Sequence, residues 1–220
     1  MVHQLRYLEI RMFEGERKGW FGAPWYQQFV KDLWEAGIPG VTVTRAESGL
    51  DRRGNVQNIH SEYVSDNLPI LIECVAAHDE VVVITHRIQA LVPKRLEAWT
   101  TTAYDAKLLE RTVDIMSDYA ILKVYMKESD QVKGEPLALL LMNRLSEMGI
   151  NWVNVTTALE GYGKDQVLRR NHNFSLTNQA PIVLEAVLSK ELQHQGVLTA
   201  IKPFLEKASG PAILIEGQSL

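Results

Sequence analysis

The 220-residue sequence has a single cysteine, Cys74. It therefore holds no internal disulfide and no paired-thiol metal or redox motif, and a reducing compartment is expected. No apolar run approaches the about 18 residues a membrane-spanning helix needs. The opening Met1-Val-His-Gln-Leu-Arg6 also lacks the apolar stretch of a secretory signal, so the sequence reads as cytoplasmic. Positive charge is not in excess. Lys and Arg number 23 against 27 Asp and Glu, for a formal net charge of −4, which argues against a protein that binds nucleic acid by neutralising phosphates. Missing, too, are a Walker loop, a nucleophile with a base at recognisable spacing and a paired-carboxylate motif, and no enzymatic activity is expected. What remains is an ordinary globular composition, 46% apolar and 23% charged, with room for one large domain or two small ones.

The chain repeats itself. Shifting it by 112 residues aligns Gly22 with Gly134, Pro24 with Pro136, Gly37-Ile38 with Gly149-Ile150, Val43-Thr44 with Val155-Thr156 and Gly49 with Gly161. The register continues through His60 and His172, Pro69-Ile70 and Pro181-Ile182, and Glu73 and Glu185, giving 16 identities over the 54 positions from 22 to 75. Upstream the shift is 114, pairing Leu8, Ile10 and Met12 with Leu122, Val124 and Met126. The division falls near residues 112–117, giving domains 1–112 and 117–220.

Each half predicts the same elements. Leu8, Ile10 and Met12, like Leu122, Val124 and Met126, alternate with polar neighbours as in a half-buried strand. Pro24 and Pro136 then precede 3, 4, 7-spaced apolar residues of amphipathic helices that Gly37 and Gly149 terminate. Val41 to Thr44 and Val153 to Thr156 read as second strands, each followed by a long polar loop or hairpin. Third strands at 69–75 and 181–187 precede helical stripes at Val81, Ile84, Ile88, Leu91 and at Val197, Ile201, Phe204, Leu205. Fourth strands are expected at about residues 100–107 and 212–216. The order β-α-β-β-α-β, twice, is an α+β architecture of two tandem ferredoxin-like domains with antiparallel sheets.

The segment Glu35-Ala-Gly-Ile-Pro-Gly-Val-Thr-Val-Thr44, followed by Gly49, Arg52, Gly54 and Ser61-Glu-Tyr-Val-Ser-Asp-Asn-Leu-Pro69, resembles the nitrogen-regulatory PII signalling proteins. In the second half, Glu147-Met-Gly-Ile-Asn-Trp-Val-Asn-Val-Thr156 precedes Gly161-Tyr-Gly-Lys164, which is similar to the glycine turn that opens that family's mobile loop. The whole looks like a tandem duplication within the uncharacterised PII-like domain family. The resemblance implies a non-enzymatic sensor that binds a small ligand, often an adenine nucleotide, between subunits and moves its loop onto a partner protein such as a membrane transporter or channel. Given that family's threefold ring, two repeats per chain imply a homotrimer. Three departures stand out: Gly49-Leu-Asp51 has one glycine where the family turn has two, no glycine- and lysine-rich phosphate loop precedes either fourth strand, and no tyrosine lies between Gly49 and His60.

A glycine turn after a strand lets backbone amides approach an anion, and nearby Lys or Arg adds charge-assisted contacts. The candidate ligand residues are Thr42, Arg52, Lys94 and Arg95 in the first half and Gly161, Gly163, Lys164 and Lys207 in the second. His60 and His172 read either as loop hydrogen-bonding groups or as the ligands of a metal- or ion-responsive tolerance protein on the same fold. A cofactor-independent ferredoxin-like enzyme is the third reading; it needs a closed apolar pocket. His78-Asp-Glu80 reads as a helix cap rather than a chelator. Glu73 and Glu185, inside apolar strands, face outward, hold a ligand or pair with a basic group. Arg52-Arg53 and Arg169-Arg170 read as solvated loop charges or as contacts to a phosphate or an acidic partner. Trp20, Phe21, Trp25, Tyr26, Phe29 and Trp34 around the first helix, and a second-half helix apolar almost all round, predict an interface beyond the core.

Overall fold

The computed structural model describes residues 4–17, 22–50, 56–59, 68–91, 96–109, 118–165, 167–170, 180–194 and 196–217. The first half runs β1 (Gln4–Phe13), α1 (Trp25–Glu35), β2 (Val41–Arg45), β3 (Ser48–Leu50), β4 (Val56–Asn58), β5 (Pro69–Ala76), α2 (His78–Leu91) and β6 (Glu97–Asp105). The second runs β7 (Tyr119–Lys127), β8 (Gln131–Val132), β9 (Glu135–Pro136), α3 (Leu137–Glu147), β10 (Val153–Thr157), β11 (Glu160–Tyr162) and β12 (Arg169–Arg170). It continues with β13 (Pro181–Ser189), α4 (Lys190–His194), α5 (Val197–Leu205) and β14 (Ala212–Gly217). The expected strands and helices are all present. The first half's fourth strand begins earlier than expected, at Glu97, and a separate short helix precedes α5.

The chain packs as two compact units. One, here the amino-terminal unit, comprises Arg6–Thr100 with Ala158–Leu168; the carboxy-terminal unit comprises Met1–Leu5, Thr101–Thr157 and Arg169–Leu220. The packed units thus trade short segments relative to the repeat halves.

In the amino-terminal unit the strand order is β1-β5-β2-β11, every pairing antiparallel. Alternation gives the sheet two chemically distinct faces. Leu8, Ile10 and Met12 of β1, Val41 and Val43 of β2 and Ile70, Ile72 and Cys74 of β5 join Tyr26, Phe29, Val30 and Leu33 of α1 and Val81 and Ile84 of α2 in one buried core. The two helices cover that face; Tyr7, Glu9, Thr42, Thr44 and Glu73 occupy the other.

The carboxy-terminal unit repeats this plan, with the order β10-β13-β7-β14 and the last residues of β6, Ala103 to Asp105, pairing with Ile215 to Ile213. Leu137, Leu141 and Leu145 of α3 and Val197, Leu198, Ile201 and Leu205 of α5 pack on Leu122, Val124, Leu184 and Leu214. Their i, i+4 and i+8 spacing keeps one helix face on the sheet. Fully burying a leucine or valine side chain is worth about 1.5–3 kcal/mol, so these stripes rather than intrinsic propensity hold the helices in place.

The helix boundaries follow from the sequence. Pro24 and Pro136 occupy the N-cap positions of α1 and α3, where no backbone N–H is needed. Gly37 and Gly149 follow the ends of the same helices at φ +84° and +82°, left-handed values costly to a residue with a Cβ. Leu33 and Leu145 carbonyls then accept the N–H groups of Ile38 and Ile150. The polar loop after the second strand differs between halves. In the first half it forms the β3–β4 hairpin, whereas in the second its opening residues form β11 and lie along β2.

Candidate functional site

The outer neighbour of β2 in the amino-terminal unit is the glycine turn of the second half. Glu160 stands opposite Val43, Gly161 opposite Thr42 and Tyr162 opposite Val41, and the Leu159 N–H donates to the Val43 carbonyl at 2.7 Å. Gly40 permits this approach: a Cβ there would stand 3.3 Å from the Tyr162 carbonyl oxygen and 3.7 Å from Gly163 Cα. Tyr162 anchors the turn, because its ring, 5% exposed, belongs to the amino-terminal core. Its phenol oxygen is buried with no hydrogen-bond partner among the described residues. Burial, with the Cys74 thiol adding to it, pushes that hydroxyl well above the ordinary tyrosine range.

Past the anchor the turn opens. At Gly163 an added Cβ would meet, among the described residues, Asp165 Oδ1 at 3.9 Å, while that oxygen accepts the Val167 N–H at 3.2 Å. Lys164 is exposed. The arrangement is a glycine turn pinned at one end by a buried ring, with Gly163 uncrowded and an ammonium beside it, and it can present backbone and positive charge to a small anion.

A polar row crosses the sheet from this turn. Gly161 pairs with Thr42, Thr42 with Glu73 and Glu73 with Glu9, and Thr42, Glu73 and Glu9 are all buried. The Tyr7 hydroxyl sits between the two carboxylates, 2.9 Å from Glu9 Oε2 and 2.5 Å from Glu73 Oε1. Arg11 Nε donates to Glu9 Oε1 at 2.7 Å, and the Trp99 side chain also hydrogen-bonds Glu9. The Trp99 ring meets Tyr7 edge to face at 5.4 Å. Burial alone would raise the Glu9 pKa; hydrogen bonds from Trp99, Arg11 and Tyr7, with the Arg11 charge, outweigh it and hold the carboxyl below its ordinary value. The carboxy-terminal unit carries the same row with different chemistry: Asn154 pairs with Glu185 and Glu185 with Lys123, whose Nζ lies 3.1 Å from Glu185 Oε2.

Of the residues predicted to bind a ligand, Thr42, Gly161, Gly163 and Lys164 come together in the amino-terminal unit. Lys207 lies just beyond α5 in the other unit, its N–H donating to the Phe204 carbonyl. Arg52, Lys94 and Arg95 lie outside the described residues, as do Arg53, His60, His172, Trp20 and Phe21. Glu80 caps α2, its carboxylate accepting the Ala77 N–H at 2.8 Å, as the helix-cap reading of His78-Asp-Glu80 expects. Among the described residues no group of three or more His, Cys, Asp or Glu could hold a metal, and no helix is long and apolar enough to cross a membrane.

Sequence reasoning missed the Tyr7–Glu9–Trp99 part of the row. The signal was there: Tyr7, Glu9 and Arg11 alternate with Leu8, Ile10 and Met12, but alternation reports a face without saying whether water reaches it. Glu73, read as outward-facing or as a ligand or base partner, lies on the sheet face away from the helices and is buried beside Tyr7. Glu185 has its basic partner, Lys123, inside its own unit.

The model of the DUF190 family, described as Uncharacterized ACR, matches residues 7–103 and again 119–216. A UPF0166 protein of Aquifex aeolicus (strain VF5) is 30% identical over 90 residues, which span 41% of this chain and 78% of that protein. A PII-like signalling protein from Thermus thermophilus aligns with 47% of this chain and 90% of its own at 16% identity and a TM-score of 0.36. CPII from Thiomonas intermedia K12, a nitrogen regulatory PII-like protein solved with ADP, AMP and bicarbonate, aligns with 46% of this chain and 90% of its own. Its identity is 21% and its TM-score 0.33.

Proposed function

The chain belongs to the DUF190 family, carrying its domain twice, and from that premise we propose a PII-like regulatory protein of the cytoplasm that binds a small anionic ligand and does no chemistry on it. The ligand is an adenine nucleotide, the class implied by the resemblance of Gly161-Tyr-Gly-Lys164 to the PII glycine turn. It binds at that turn, with Thr42 on the adjoining strand and Lys164 supplying the positive charge. The loops at residues 48–64 and 160–176 respond to the ligand and carry the signal to a partner protein, a membrane transporter or channel in keeping with the same resemblance. The working assembly is a homotrimer.

The observation that carries the reading is the seating of the turn: Tyr162 is buried, Gly161 is paired on β2, and Gly163 and Lys164 are left open. A turn that served only to reverse the chain has no need of a buried ring that holds a glycine and a lysine at its exposed end. Ligand-dependent ordering of such a turn shifts a population rather than breaking a bond.

Thermal unfolding of the full chain against ADP, AMP, ATP, cyclic nucleotides and divalent metals tests it. A ligand at about 100 times its dissociation constant adds roughly 2.7 kcal/mol, a shift of several degrees. The expected result is a nucleotide-specific shift that falls in Lys164→Ala and in Gly163→Ala, the latter adding a Cβ in ordinary contact with Asp165 Oδ1, at 3.9 Å. No nucleotide shift, or one untouched by both substitutions, contradicts the reading; a shift with metal alone moves it to the ion-responsive class.

A further inference from the structure

Within the amino-terminal unit, Glu160–Tyr162 is held by two kinds of contact. Three residue pairs set β11 along β2, with the Leu159 N–H on the Val43 carbonyl, and the Tyr162 ring enters the core. Tyr162 stands opposite Val41 and Val41 opposite Cys74. Cross-strand partners share a sheet face, so the three form one row on the face that the helices cover, with Tyr162 outermost in this unit and Cys74, 2% exposed, innermost. Beyond Tyr162 nothing else is anchored. Among the described residues from 163 to 168 none is buried, and Val167 and Leu168 are 51% and 45% exposed. Tyr162 is therefore the last side chain of the turn that burial holds in place.

Two features work against that seat. The Tyr162 hydroxyl lies in the core without a hydrogen-bond partner among the described residues, and a polar group so placed gives up the bonds that water would supply. Gly161 and Gly163 stand on either side of it, and glycine gives a backbone the widest choice of other conformations. A ring that only filled space would be served better by phenylalanine, which has the same shape and no oxygen to desolvate.

We propose that Tyr162 is a releasable latch, in which the seated turn exchanges with a state where the ring has left the core, its hydroxyl meets water and residues 159–165 have lifted from β2. The buried hydroxyl is what keeps the two states near enough in free energy for a bound molecule to move the balance. Removing that oxygen shifts the balance toward the seated state by about 5-fold or more. Release also parts Gly161 from Thr42, so the anion-binding groups come together only in the seated state, and a ligand held there favours seating. That coupling rests on the ligand reading above; the latch itself does not. Release further opens the row that leads to Cys74, the chain's single thiol, which serves as an internal reporter of the opening.

Native-state hydrogen exchange of the full chain, read by mass spectrometry, tests the latch. In the wild type the amides of residues 159–162 are expected to exchange faster than those of β5, at a rate that low urea leaves unchanged, as local rather than global opening requires. Tyr162→Phe should slow exchange at 159–162 by about 5-fold or more relative to β5 of the same chain, and should slow the residual labelling of Cys74 by a small thiol reagent. ADP at about 100 times its dissociation constant should slow exchange at 159–162 by about 100-fold. Exchange that slows in the phenylalanine variant but ignores ADP supports the latch and counts against the ligand reading. Amides at 159–162 that exchange no faster than those of β5 overturn the proposal. So does a phenylalanine variant whose exchange at 159–162, relative to β5, and whose Cys74 labelling both match wild type.

Discussion

Two substitutions of Tyr162 should move stability in opposite directions. The ring is nearly fully buried in the amino-terminal core, although it arrives from the second half of the sequence. Aromatic side chains bury roughly 150–250 Å², worth about 4–6 kcal/mol at about 25 cal/mol per Å². Alanine keeps the Cβ, and the unfolded chain hides part of the ring, so Tyr162→Ala should cost about 3–5 kcal/mol. Tyr162→Phe keeps the packing and removes the buried oxygen that has no hydrogen-bond partner among the described residues. A buried unsatisfied polar group costs about 1–3 kcal/mol, so the phenylalanine variant should gain on the order of 1 kcal/mol. Urea unfolding followed by tryptophan fluorescence and far-ultraviolet circular dichroism measures both, with the midpoint moving down for alanine and up for phenylalanine. The alanine variant should also lose ligand response, because the turn is no longer pinned. A phenylalanine variant less stable than wild type by about 1 kcal/mol or more means that the hydroxyl is satisfied. An alanine variant within about 1 kcal/mol of wild type means that the ring does not sit in the core. Either result refutes the reasoning.

Further outcomes follow from the same geometry. Glu9 titrates below its ordinary value in the folded state, so its contribution to stability is present above the unfolded value of 4.5 and is lost as pH falls through the lower folded value; acid titrations should show Arg11→Ala unfolding at higher pH than wild type, and coincident acid transitions would contradict this. The Cys74 thiol is buried and pushed up to about 12, chiefly by desolvation, so it should resist a thiol reagent at about pH 8 until denaturant is added; prompt labelling of the native chain would show the site to be open. Gly210→Ala would place a Cβ 2.5 Å from the Tyr125 carbonyl oxygen, and the forced backbone shift should cost about 1–3 kcal/mol in chemical denaturation; an unchanged midpoint would show that the contact yields freely.

The architecture was legible because it was written twice. A 16-in-54 match fixed the repeat, and alternation, 3.6-residue stripes and paired helix-ending glycines at 37 and 149 then located the same elements in each half. Local rules missed where the second glycine turn goes. Glu160-Gly-Tyr162 and Ser48-Gly-Leu50 occupy equivalent positions, yet the first lies along β2 and the second pairs with β4. The difference turns on tertiary complementarity: a ring at position 162 that reaches a core built by the first half, and a glycine at position 40 that lets the turn close on β2. Neither is visible in a window of neighbouring residues. The buried Tyr7–Glu9–Glu73 row was half legible, since β1 alternation gave its face but not its burial.

Equilibrium binding of ADP to the full chain, by calorimetry, tests the central claim most directly. The account predicts a saturable site whose dissociation constant rises about 10- to 150-fold in Lys164→Ala, the equivalent of one charge-assisted contact worth about 1.5–3 kcal/mol, with unfolding midpoints unchanged. No measurable binding of ADP, AMP or ATP to the folded wild-type chain, or binding that Lys164→Ala and Gly163→Ala both leave intact, would contradict it.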